Sequence, residues 1–330
     1  MSTDLSTVEE QVIDHLIARG LSPSAEHLTA GSMTGGVSND VVAVTGPDLD
    51  VVVKRALGRL RVTQTWLADT TRLVTEGRAL QQAGRTLPEA VPEVLDLSDG
   101  FLVMTRAPHH WHTWKQDLLN GVIDPGVAER LGTLLGTWQR ETALQRAQLV
   151  TDFGDRTAFE QLRVDPFHRQ IQDAHPDLAP TIQATIEQMA ATPICLVHGD
   201  YTPKNILVGN DPEQLWVIDW EVAHLGDPTF DPAWIVGHLL LKSIHRPQWA
   251  AAYHVAARAF LLGLSAVDRA IPLDPDQLVR QTGCLVLARV DGRSPADYLD
   301  RTGQEQARTL GRRLLTGSPT TLTDVWKDLT

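Results

Sequence analysis

Apolar residues Val8, Val12, Ile13, Leu16 and Ile17 recur at helical spacing and stop at Gly20, which predicts a helix over residues 6–19. A strand-rich stretch follows. Val37–Val44 and Asp50–Ala56 are β-rich runs joined by the turn cluster Thr45-Gly46-Pro47-Asp48. Asp69 can cap a helix running to about Gln82, with Leu73, Leu80 and, at its margin, Val74 on the apolar side. Val91–Leu97 and Phe101–Thr105 predict a second strand pair around Ser98-Asp99-Gly100.

The period then becomes helical. Residues 124–144 repeat Val127, Leu131, Leu134, Leu135 and Trp138 on one face. Further helices are expected over 155–164, 178–190, 231–242, 247–263, 275–289 and 302–315, interrupted only by short strands near residue 200. There is no internal repeat, charge block or low-complexity linker. The chain therefore reads as α+β, with a small β-rich part over 1–106 and a larger, mostly helical part over 107–330. The boundary falls at Arg106-Ala107-Pro108, where the last strand of the first part ends.

Composition narrows the function classes. The 330 residues are 42% hydrophobic, enough for a substantial core. A net charge of -12 argues against nucleic-acid partners and against an anionic membrane surface. Cys195 and Cys284 sit in apolar runs and read as buried free thiols, without disulfide or metal spacing. The acidic N-terminus lacks a continuous apolar run of signal-peptide length, so a cytoplasmic location is expected.

The chemistry concentrates in residues 196–221, LVHGDYTPKNILVGNDPEQLWVIDWE. The apolar runs LVHGD and LWVID look like buried strand ends, each delivering a carboxylate to its C-terminal tip. Asp200, Asn205 and Asp219 are then expected at one point. A proton acceptor, an amide oxygen and a carboxylate for hard cations are the parts of a Mg-dependent phosphoryl transferase. The alternative is that these acids only cap strands and turns.

The spacing Asp-x-x-x-x-Asn matches the protein-kinase catalytic loop, but the loop begins His198-Gly199-Asp200. With Ile218-Asp219-Trp220-Glu221, Gly226-Asp227-Pro228 and Asp231, the set resembles the aminoglycoside phosphotransferase family of small-molecule kinases, to which choline, homoserine and methylthioribose kinases are related. DVVVKRALGRLRVTQTW and FEQLRVDPFHR look like segments of methylthioribose kinases. Those usually lack the Asn seen here as Asn205, and they carry paired arginines where this chain has LARVDGRSP.

The resemblance implies a protein-kinase-like two-lobe fold that moves the γ-phosphate of ATP to a hydroxyl of a small molecule. It does not exclude GTP. Asp200 is then the catalytic base, Asn205 and Asp219 hold Mg²⁺, and His198 braces the loop. Lys204 touches the γ-phosphate or is simply solvated. Glu221 joins the second metal shell. Asp227 and Asp231 anchor the loop or cap the next helix, and Asp231-Pro232 looks like a cap followed by a first-turn proline. Lys54, ending Val51-Val52-Val53, holds nucleotide phosphates and pairs with Glu76, 22 residues on, or else is an edge-strand gatekeeper. Gly35, Gly36 and Ser38, in the loop before the first strand pair, cover phosphate or form a plain hairpin loop. The segment Met104-Thr105-Arg106-Ala107 would be the hinge that reads the base through its backbone.

On the acceptor side, a sugar or amino-sugar-like compound is expected. Trp234 on the helix after Asp231 is a candidate for the substrate cleft. Arg289 and Arg293 either grip an anionic group or pair with Asp291 and Asp297. Trp111 and Trp114 flank His109, His110 and His112 and form a substrate platform or ordinary packing. Two rival readings remain: a catalytically silent nucleotide- or metabolite-binding protein, and a metal-dependent hydrolase using His198, Asp200 and the histidine cluster. The oligomeric state is not legible.

Overall fold

All strand pairings in the first third of the chain are antiparallel among the described residues. The computed structural model describes residues 7–33, 39–56, 71–317 and 326. It divides into two compact units, residues 1–109 and 110–330.

The first unit opens with α1, Val8–Ala18, whose N-terminus carries a reciprocal capping box between Thr7 and Glu10. A five-stranded antiparallel sheet follows in the order β1-β2-β3-β5-β4, with β1 Thr29–Ser32, β2 Asn39–Gly46, β3 Leu49–Ala56, β4 Val94–Ser98 and β5 Phe101–Thr105. Val42, Val44, Val51, Val53 and Val103 point to one face and close on Val12 and Leu16 of α1. Period-two alternation therefore sends Lys54 to the other face. α2, Thr71–Thr86, buries Leu73, Ala79, Leu80 and Ala83. Its Gly77 lets β4 approach: a Cβ there would meet Leu97 at 2.7 Å. The β4–β5 turn puts Asp99 and Gly100 at φ 52° and 81°, the two left-handed positions of a tight hairpin.

Three expectations for this unit change. Val74 is 38% exposed, so the apolar stripe of α2 is completed by alanines instead. β1 was missed because, as a mostly exposed edge strand, TAGS shows no alternation. The glycine-containing segment therefore follows β1 in the chain instead of preceding the first strand of the sheet. Gly35, Gly36, Ser38 and Asp69 lie outside the described residues.

The second unit starts at β6, His112–Thr113, and α3, Trp114–Asn120, then α4 Pro125–Leu144 and α5 Arg146–Phe153. α6, Thr157–Phe159, runs into a π-helix over Glu160–Arg169 and then α7, Gln170–Ala174. After α8, Ala179–Ala191, come β7 Cys195–Val197, β8 Ile206–Val208, β9 Leu215–Val217 and β10 His224–Gly226. α9 Phe230–His245, α10 Ala250–Ala266, α11 Pro275–Asp291 and α12 Arg301–Thr316 complete the unit. β7 pairs with β10, while β6, β8 and β9 form a second small sheet.

α4 and α10 cross at glycines. A Cβ on Gly132 would sit 2.0 Å from the Phe260 carbonyl, and one on Gly263 2.2 Å from that of Glu129. Phe159, Phe230, Ile182, Cys195 and Cys284 belong to one hydrophobic core cluster of the second unit, and both cysteines are free thiols. Trp234 belongs there too. It is 1% exposed and its ring stacks 4.1 Å from Phe230, so the substrate-cleft placement gives way to core packing. Trp114 is likewise buried, while Trp111 meets Trp216 edge-on at 5.5 Å. Among the described residues no helix is long and apolar enough to cross a membrane.

Candidate functional site

In the first unit, Lys54 Nζ lies 2.5 Å from Glu76 Oε1. Glu76 is fully buried on α2, and the side chain of Lys54 is 14% exposed. An ammonium at a strand end is thus offset by a carboxylate brought from a helix, which the sequence separation alone does not reveal. Met104 is buried on β5. The Arg106 N–H donates to the Asp50 carbonyl at 3.2 Å, and its guanidinium lies 3.6 Å from the Asp50 carboxylate.

The second unit holds the His198–Asn205 loop between β7 and β8. Gly199 takes φ 79°, and a Cβ there would meet Val222 at 2.9 Å, so the position calls for glycine. Asp231 fixes the turn: Oδ2 accepts the His198 N–H at 2.8 Å and Oδ1 accepts the Gly199 N–H at 3.0 Å. Asp231 lies inside the first turn of α9, not at its cap, so it anchors the loop and does not cap the helix. Burial pushes its carboxyl up to about 7, against those two N–H bonds. Asp227 does the cap-like work, accepting the N–H and hydroxyl of Thr229, both at 2.8 Å.

His198 has both ring nitrogens committed. Nδ1 accepts the Asp200 N–H at 3.1 Å, so Nε2 carries the proton donated to the Ile218 carbonyl at 3.0 Å. Burial lowers the ring to about 4, so it stays neutral near pH 7. It braces the loop against the segment carrying Asp219, and no lone pair remains for a proton or a metal.

Asp200 is 6% exposed and surrounded by donors. Its Oδ2 lies 2.9 Å from Arg163 Nη2, 2.9 Å from Lys204 Nζ and 2.8 Å from the Asn205 amide nitrogen. Burial raises this carboxyl, but Arg163 and Lys204 outweigh it and hold the group below the usual range. The Asn205 nitrogen also donates to the Asp200 carbonyl at 3.0 Å, which turns the amide oxygen away from that carboxylate. Asp219 follows β9 at φ 70°, a left-handed backbone for a non-glycine residue, and its charge is felt by Asp200, Lys204 and His198. Glu221 lies half-buried two residues on.

Arg163 was not anticipated. Its Nε donates to the Gly199 carbonyl and its Nη1 to the Leu162 carbonyl, both at 2.8 Å. The π-helix aims it. Widened turns accommodate Pro166, which has no N–H to give, and carry Arg163 to the loop. The signal in the sequence was an arginine beside Val164, four residues after Phe159, on what becomes the buried side.

Other candidates do not join this group. Arg293 is exposed and donates to Gln170 at 3.2 Å. Arg289 donates to Ser294. Asp291 pairs with neither arginine; it pairs with His175 and Arg308. His112 pairs with Asp117 at 2.6 Å. Among the described residues no three His, Cys, Asp or Glu side chains gather as a metal-ligand group.

A model of the phosphotransferase enzyme family matches residues 32–270. The methylthioribose kinase of Bacillus cereus strain AH820 is 22% identical over 269 residues, covering 74% of this chain and 68% of its own. Among solved structures, macrolide 2'-phosphotransferase MphH from Brachybacterium faecium is 20% identical, with a TM-score of 0.54 over 93% of this chain and 98% of that one. Amicoumacin kinase hAmiN, solved with AMP-PNP, Ca²⁺ and Ami, is 13% identical, with a TM-score of 0.58 over 90% of each. At these identities the structural likeness shows a shared fold: a small antiparallel sheet unit followed by a mostly helical one.

Proposed function

Because the chain belongs to the phosphotransferase enzyme family, we propose that it moves the γ-phosphate of ATP, with Mg²⁺, to a hydroxyl of a small sugar-like molecule. The observation that carries this reading is the state of Asp200. It is a buried carboxylate kept ionised by two cations, on a loop fixed by Asp231 and His198. Phosphoryl transfer asks little covalent help of a protein, so positioning and charge neutralisation dominate.

Asp200 accepts the hydrogen bond of the acceptor hydroxyl and orients its oxygen toward phosphorus. As the new P–O bond forms, the bond to the ADP oxygen breaks and the hydroxyl proton passes to Asp200. A carboxyl held this low is a weak base, so it aims the hydroxyl and takes the proton late. Lys204 is 57% exposed along its side chain and, chiefly through Asp200, holds its proton more firmly than usual, so it is an available cation for the transferred phosphoryl group. Lys54, set by Glu76, serves the nucleotide phosphates.

Asn205 and Asp219 are the residues that would hold the divalent ion. Magnesium characteristically takes one or two carboxylates, with phosphate oxygens and water completing its shell. One carboxylate and one amide oxygen fit that demand, and the Asn205 nitrogen is already occupied by Asp200. When bound, the ion supplies neutralisation of phosphate charge. The backbone of residues 104–107 is the segment expected to read the base, through groups other than the Arg106 N–H, which leaves ATP and GTP both admissible.

The hydrolase reading is weakened by His198, whose two nitrogens are engaged, and by His112, tied to Asp117. A silent binding protein has no need of Asp200, Asn205 and Asp219 together. An ADP-forming coupled assay with Mg²⁺ over sugars, methylthioribose, choline, homoserine and aminoglycosides tests the proposal. Turnover with one class, lost in Asp200→Ala with the fold retained, supports it. Turnover that survives Asp200→Ala or needs no nucleotide overturns it.

A further inference from the structure

Lys242 lies in the last turn of α9 with its side chain fully buried. Among the described residues its ammonium makes no ion pair or hydrogen bond; its partner is the ring of Tyr298, 5.6 Å away. An isolated buried ammonium costs several kcal/mol, so folds seldom keep one without a use. Burial, reinforced by Lys115 of α3 and Arg289 of α11, pushes it down to about 7.

The neighbours have the same unmet demand. Arg289 donates through Nη1 to the carbonyl and hydroxyl of Ser294, but its buried Nε has no acceptor. The buried Tyr298 hydroxyl also lacks a partner. His238, one turn before Lys242, is lowered by burial and by Lys242, Arg289, Lys204 and Lys115, and so adds a neutral ring.

The carboxylates that bear on Arg289 are Asp200 and Asp297. Neither forms an ion pair with it, Asp297 is exposed, and Asp200 is already matched by Arg163 and Lys204. A chain of net charge -12 thus keeps three cations and a spare hydroxyl together, within electrostatic reach of the carboxylate that would orient the acceptor.

We propose that Lys242, Arg289 and the Tyr298 hydroxyl form a subsite for an oxyanion on the acceptor, so that the substrate is a hydroxy compound bearing a carboxylate or phosphate. This rests on Asp200 being where the acceptor hydroxyl sits. The oxyanion supplies the acceptors that three buried donors lack and restores Lys242 to its charged form. A polycationic amino sugar meets like charge at the same place.

Calorimetry of the full chain provides the test. D-glycerate, D-gluconate and glucose 6-phosphate are titrated beside their uncharged counterparts glycerol, glucitol and glucose, with AMP-PNP titrated separately. At least one acid is expected to bind tenfold or more tightly than its counterpart, and which one binds separates carboxylate from phosphate. Lys242→Met and Arg289→Gln should each weaken that acid at least tenfold and leave AMP-PNP within twofold. Without ligand, Lys242→Met should raise Tm, because it removes a buried amine that has no hydrogen-bond or ion-pair partner. If Lys242→Met lowers Tm, the lysine is structural and the proposal fails. It also fails if no acid outbinds its counterpart, if Arg289→Gln and Tyr298→Phe bind the acid like wild type, or if the loss falls on AMP-PNP. Absence of AMP-PNP binding in the wild type sinks the phosphotransfer reading instead, and the acid titration reads independently of it.

Discussion

Arg163→Gln removes a guanidinium that makes three bonds: one to Asp200 at 2.9 Å, and one each to the Gly199 and Leu162 carbonyls at 2.8 Å. Both charged side chains are almost wholly out of water, at 12% and 8% exposure, so solvent screening is slight. Opposite charges about 4 Å apart attract by roughly 4 kcal/mol at an effective dielectric near 20. Breaking a buried pair from one side typically costs about 3–5 kcal/mol. The variant should therefore lose about 3 kcal/mol at pH 8.

The loss should depend on pH in a set direction. In the wild type Asp200 titrates below its ordinary 3.8, so it contributes stability above that value which is lost as pH falls through the folded pKa. Without Arg163, burial is opposed only by Lys204 and Asn205, and the carboxyl rises. As pH falls toward 4 the variant takes up a proton and recovers. The difference between the two proteins should shrink to about 1–2 kcal/mol, the worth of the two carbonyl bonds. Urea unfolding of both proteins at pH 8, 6 and 4 measures it. A difference that stays constant across that range would refute the electrostatic account of Arg163. Arg163→Lys keeps the charge but not the fork. It should restore the pH dependence without restoring full turnover.

Two further outcomes follow from the geometry. Lys54→Met takes the nearest cation from a fully buried carboxylate, so it should abolish turnover and lower stability by about 3 kcal/mol; adding Glu76→Gln should recover stability but not turnover, measured by urea unfolding beside the ADP assay. Gly132→Ala drives a Cβ to 2.0 Å from a backbone carbonyl that cannot rotate away, so Tm should fall by roughly 5–10 °C, whereas Gly84→Ala, whose Cβ meets only Val91 at 3.4 Å, should leave Tm unchanged or slightly raised by scanning calorimetry.

Much of the molecule was legible in the chain because its information is local. Alternating valines set β2 and β3, and Asp99-Gly100 marked a hairpin that only left-handed residues can turn. Leucines at helical spacing set α4. Asp200, Asn205 and Asp219 stand in one short segment; Asn205 bonds to Asp200, and Asp219 is close enough for Asp200 to feel its charge. Lys54 and Glu76 were paired across 22 residues by analogy with a fold, and the structure supplies the contact.

The tertiary structure alone decided what depends on distant approach. Trp234 has the same helical periodicity whether its face meets a cleft or a core; packing on Phe230 settled it as core. Asp231 before Pro232 looks like a cap in one dimension, yet in three its two oxygens meet the backbone of a loop more than thirty residues earlier. Arg163 reaches Asp200 only because a π-helix shifts the register that a 3.6-residue period assumes. Lys242 shows no pattern at all: a lysine in a helix is ordinarily solvated, and only tertiary packing, with the Tyr298 ring beside its ammonium, buries it. Period and propensity act over a few residues, while burial and charge pairing are set by whatever the folded chain brings alongside.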